Sequence, residues 1–106
     1  MAKYLFEVSY TTEGAKGLIK DGGAKRRAAA EAAASAVGAK LESFYFAFGE
    51  TDAYVVVDAP DNVSVAALAL AVNAAGAVRG KTTVLLTPEE FDQVAKKVPA
   101  YAPPGR

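Results

Sequence analysis

Residues 3–10 alternate in character, with Tyr4, Phe6, Val8 and Tyr10 on one side of an extended chain and Lys3, Leu5, Glu7 and Ser9 on the other. Period-two alternation predicts a strand with one face in the core. The same signal returns over Leu41–Phe48, which is dense in aromatic residues, and over Asp52–Ala59, with Gly49-Glu50-Thr51 between them as a turn. Two such runs joined this closely predict an antiparallel hairpin. Residues 78–86 alternate again, Val78, Thr82, Val84 and Leu86 against Arg79, Lys81, Thr83 and Leu85, and predict a fourth strand.

Between the strands the period changes. Thr11-Thr12-Glu13-Gly14 offers a helix cap, and Leu18-Ile19 an apolar side, to a short helix that Asp21-Gly22-Gly23 interrupts. Lys25–Val37 is alanine-rich, of high helix propensity, and ends at Gly38. Its expected buried face is Ala28 or Ala29, Ala32, Ala33 and Ala36. Pro60-Asp61-Asn62 stops the third strand and caps a helix in which Val65, Leu68, Ala69 and Val72 recur at helical spacing, with Gly76 beyond its end. Thr87-Pro88-Glu89-Glu90 has the form of a capping box with proline at the first helical position. It opens a helix with the stripe Phe91, Val94, Ala95 and Val98. The tail from Pro99 holds three prolines and cannot continue the helix; its Tyr101 is expected to pin it against another surface.

The order is β-α-β-β-α-β plus a C-terminal helix. Right-handed crossovers put the helices on one side of a four-stranded antiparallel sheet, the ferredoxin-like α+β arrangement. Residues 1–98 are expected to form one domain, with 99–106 as a proline-rich tail. The other sheet face is left uncovered, with Leu5, Leu85, Tyr45, Tyr54 and Val56 expected on it. Burying such a face is favourable, so two sheets are expected to pack face to face in a homodimer or larger homo-oligomer.

Composition narrows the chemistry. Twelve basic and twelve acidic residues cancel, so the electrostatic footprint of a nucleic-acid or anionic-membrane binder is missing. With no cysteine and no histidine, thiolate nucleophiles, iron–sulfur clusters, imidazole metal sites and Ser-His-Asp triads are excluded within one chain. No glycine-rich phosphate loop has the required spacing. No metal or cofactor is expected. The start of the chain carries no long apolar run and Glu7 interrupts it, so a cytoplasmic location without membrane insertion is expected.

The remaining candidates are carboxylate, tyrosine and basic groups. Glu7 points away from the Tyr4-Phe6-Val8 side and, in a dimer, faces the inter-sheet space. There it serves either as a general base or as half of an interface ion pair with Lys81 or Arg79. Tyr45 and Tyr54 are hydrogen-bonding candidates in the same space, or packing residues whose hydroxyls reach water. Asp52 is either a catalytic carboxylate or turn chemistry beside Gly49, a glycine kept for its backbone. Lys25-Arg26-Arg27 reads as a solvated basic face.

At the hairpin, Gly49-Glu50-Thr51-Asp52 resembles the Gly-x-Tyr-Asp signature of the GYD-domain family. Tyr45, Ala59-Pro60-Asp61, Thr11 with Gly14, Gly38 and Gly76-Ala77-Val78-Arg79 also look like that family's pattern, over roughly residues 3–86. Thr51 stands in place of the signature tyrosine, so a role needing a phenol there is not supported. The resemblance implies a small domain of dimeric α+β barrel type with no established common activity, akin in architecture to monooxygenases, haem enzymes and plain ligand-binding or regulatory domains. Two functions are therefore carried forward: an oligomeric domain that binds a small molecule or serves as a structural or regulatory unit, and a cofactor-independent monooxygenase- or isomerase-like enzyme using the inter-sheet cavity.

Overall fold

The computed structural model describes residues 1–106. Its elements run β1 (Ala2–Tyr10), α1 (Thr12–Asp21), α2 (Gly23–Ala36), β2 (Lys40–Phe46), β3 (Ala53–Ala59), α3 (Asn62–Ala74), β4 (Val78–Leu85) and α4 (Pro88–Lys96). The strands form one antiparallel sheet in the order β2-β3-β1-β4, the ferredoxin-like topology expected from the alternation.

The core lies between the sheet and helices α2 and α3. Tyr4, Phe6, Val55, Val57 and Ala59 project from the two central strands against Ala34 of α2 and Val65 and Leu68 of α3. Tyr4 is 3% exposed, and its hydroxyl donates to Asn62 Oδ1 at 2.5 Å, which satisfies the one polar atom it brings inside. Only 12 of 106 residues are buried, so little core is available to absorb a packing error.

The helix starts are fixed by side chains. Thr11 Oγ1 accepts from Gly14 N–H at 3.1 Å, Asp61 Oδ1 from Ser64 N–H at 2.8 Å, and Thr87 with Glu90 completes the reciprocal capping box. Thr11 also ties α1 to the segment before β4: its N–H donates to Ala77 O and its hydroxyl to Gly76 O. The Ser64 amide holds the Asp61 carboxyl below its usual range, and the Thr87 amide does the same for Glu90. A lowered carboxyl pKa contributes stability that is complete above the ordinary carboxylate range and is lost as pH falls through the lowered value. Thermal unfolding followed by circular dichroism should therefore show a falling midpoint below about pH 4, with a smaller acid dependence in Asp61→Asn, which keeps a neutral cap.

Several sequence expectations are corrected. The alanine helix turns Ala30, Ala33, Ala34 and Val37 inward, while Ala28, Ala29, Ala32 and Ala36 are exposed; only Ala33 of the expected face was right. With alanine at eight of fourteen positions, one stripe of α2 reads much like another. The hairpin connection is longer than a tight turn: β2 ends at Phe46 and β3 begins at Ala53, so Asp52 belongs to the loop. A register shift between Leu41 and Ser43 bulges β2 at Glu42. On the helix side of edge strand β4 only Val78 is buried, because α3 reaches the start of that strand and leaves Val84 and Leu86 more than half exposed.

The C-terminal helix forms as its caps require but packs on no other element to any extent. Phe91, Val94 and Val98 remain exposed, and Tyr101 pins the tail to nothing within the chain. The radius of gyration is 16.9 Å, against roughly 13 Å for a compact chain of this length.

Candidate functional site

The pairing register places four of the five candidate pocket residues on one row across the open sheet face. Tyr45 of β2 pairs with Tyr54 of β3, Tyr54 with Glu7 of β1, and Glu7 with Lys81 of β4. Arg79 stands on the next rung, opposite Ser9. The adjacent row toward the other end of the sheet is Ser43, Val56, Leu5 and Thr83, followed by Asp58, Lys3 and Leu85. Lys3 is hydrogen-bonded to Glu42, and that carboxylate first, then Asp58, raises the lysine's pKa.

One end of this face is an open polar hollow of about 360 Å³ formed by Glu7, Ser9, Glu50, Thr51, Arg79, Gly80 and Lys81. It gathers Glu7, Arg79 and Lys81; Tyr45 and Tyr54 lie outside it. No ion pair joins Glu7 to Lys81 or Arg79 within the single chain. The hollow has no apolar wall, so a carbon-rich molecule gains nothing there until a second surface closes over it.

The signature turn clamps the hairpin onto the end of β1. Asp52 N–H donates to Val8 O and Asp52 Oδ2 accepts from Tyr10 N–H, both at 2.8 Å, while Ser9 Oγ donates to Glu50 O at 3.1 Å. The carboxylate is thus committed to the backbone, and the geometry favours the turn role of Asp52. Gly49 adopts a φ of 154°, and the neighbouring Phe48 ring is fully exposed. Asp52→Ala removes a hydrogen bond to a charged group and is expected to cost about 2 kcal/mol in denaturant unfolding; Asp52→Asn, which keeps an acceptor oxygen, should cost less.

A second space, lined mainly by apolar side chains, lies on the opposite side of the sheet, which sequence reasoning did not reach. α2 sits over β2 and α3 over β3 and β4, leaving a groove between them of about 130 Å³. Phe6, Val8, Val55 and Val57 form its floor; Ala30 and Ala33 line one wall, Leu68 and Val72 the other. Arg26 also lines it, so the basic run is only in part a solvated face. The available signal was the small side chains of both helices, which give shallow walls.

The family model of the GYD domain matches residues 4–95, most of the chain. The chain belongs to the GYD-domain family. The match runs beyond β4 into α4, further than the signature and flanking residues suggested. No curated protein and no solved structure matches the chain. In this GYD domain the pieces that resemble the family's pattern meet in space: Thr11 and Gly14 contact Gly76-Ala77, and Glu50 and Asp52 of the signature turn bond to β1. No helix is long and apolar enough to cross a membrane.

Proposed function

We propose that this GYD-domain protein works as a homo-oligomer, at least a dimer joined through the open sheet faces, in which each subunit holds a small molecule. The carrying observation is the uncovered face itself: Leu5, Val56 and Leu85 flanked by Tyr45 and Tyr54, the tyrosines 71% and 41% exposed, opposite the helices that cover the other side. The stripe of α4, which follows β4 in the chain, adds a second unpartnered apolar surface. Pairing two sheets buries one and gives Glu7, Lys81 and Arg79 partners from a second copy. A stable interface requires roughly 800 Å² per partner, within reach of a four-stranded sheet. A cytoplasmic location belongs to the same proposal, and cell fractionation would test it.

Native mass spectrometry at low micromolar concentration tests both halves. Even-numbered oligomers with a retained adduct support the full reading. Oligomers that gain no mass from any added small molecule support a structural or regulatory unit instead, and a monomer contradicts the assembly.

A second reading, a cofactor-independent enzyme of monooxygenase or isomerase type, is supported by the row Tyr45-Tyr54-Glu7-Lys81, which puts a carboxylate between a phenol and an ammonium group. Glu7→Gln separates the two readings. If Glu7 is a general base, turnover of a bound substrate should fall by about 100-fold or more with assembly intact; if it serves the interface, the subunit dissociation constant changes and ligand binding does not.

A further inference from the structure

We infer that the groove between α2 and α3 selects a small apolar carboxylate, one aromatic ring or a short branched chain with one acid group, held by Arg26. This inference rests on the ligand-holding half of the proposed function and names its ligand class.

The groove is charged at one end only, and Thr82, opposite Phe6, adds one hydroxyl midway along it. Tyr10 closes β1 opposite Val78, the first residue of β4, and Asn73 in the last turn of α3 reaches this end by accepting from Gly80 N–H at 3.0 Å. Arg26 lies in the first turn of α2, whose Gly23 abuts the Phe46 ring at the same end of the sheet. The opposite end is formed by Leu41, Val57 and Ala34. A ligand that fits both ends has a charged or polar head and an apolar body.

The polar groups select the sign of that head. Arg26 is a donor only, and the acceptor oxygen of Asn73 is already committed to Gly80, so its amide offers N–H donors. The lining includes no Asp or Glu. Lys25 and Arg27, on either side of Arg26, are paired with Asp21 and Glu31, whereas Arg26 has no ion pair. A guanidinium on an apolar wall with an open carboxylate-shaped fork favours a planar oxyanion. Size follows from volume: about 130 Å³ is close to the roughly 150 Å³ cavity that accepts benzene in an engineered protein.

Benzoate and its neutral counterpart benzyl alcohol, titrated into the ¹⁵N-labelled full chain and followed by amide shifts, test the inference. Both probes should shift Ala30, Ala33, Val72 and Asn73, with benzoate bound at least about tenfold more tightly. Arg26→Gln should remove that advantage and leave benzyl alcohol unchanged, and Arg26→Lys should keep part of it; a native-like spectrum of each variant excludes unfolding. Equal affinities, or benzoate binding indifferent to Arg26→Gln, would overturn the carboxylate assignment while the ligand-holding reading stands. If neither probe shifts the groove at millimolar concentration, both fail.

Discussion

Gly14→Ala is expected to prevent the native fold from forming. A β-carbon at residue 14 would lie 1.8 Å from Ala77 O and 2.7 Å from Ala77 C, and both are backbone atoms that cannot rotate away. The segment around Ala77 is itself fixed, since Thr11 binds it through both its amide and its hydroxyl. Relief therefore requires α1 and the Gly76-Ala77 segment to separate, with loss of those hydrogen bonds and of the cap on α1. Overpacking alone costs about 1–3 kcal/mol, and the broken bonds add about 1 kcal/mol each. In a domain with so thin a core this is most of the stability. Circular dichroism and ¹H–¹⁵N spectra should show an unfolded or molten chain, whereas Gly17→Ala, with nothing within 4 Å of its β-carbon, should fold normally.

Val56→Arg is expected to separate the subunits without unfolding them. Val56 lies mid-sheet on the open face, directly opposite Leu5, so in an isolated chain the longer side chain extends into water. In the proposed assembly it places a cation from each copy in the apolar row. An uncompensated buried charge costs about 3–5 kcal/mol, which weakens association by more than about 100-fold. Sedimentation at concentrations where the parent assembles should show a monomer with an unchanged melting curve shape and a lower, concentration-independent midpoint.

Alternation carried the strands and their faces correctly because a period of two survives even when the polar side is mixed: Tyr4 and Phe6 are buried and Leu5 and Glu7 lie on the open side, as the spacing required. Capping chemistry carried the helix starts, since Thr11, Asp61 and Thr87 act through bonds three residues away. What failed depended on information that local sequence does not hold. The inward face of α2 is the one that packs on β2, a tertiary choice that its nearly uniform alanines do not record. The bulge at Glu42 leaves no compositional trace. The open face and its row of candidates were legible through the register, which follows from alternation once the strand order is known. The groove was not, because it comes from the spacing between two helices that each look ordinary alone.

The most direct test of the account uses the absence of cysteine: a single thiol can be placed anywhere without background. Thr83→Cys puts one on the open face opposite Leu5, at a position exposed in the isolated chain, and Ser35→Cys puts one on the outer surface of α2. The account predicts that Thr83→Cys reacts with a maleimide much more slowly than Ser35→Cys at assembling concentrations and catches up on dilution. Equal rates at every concentration, with the oligomer intact, would show that the subunits do not meet through this face.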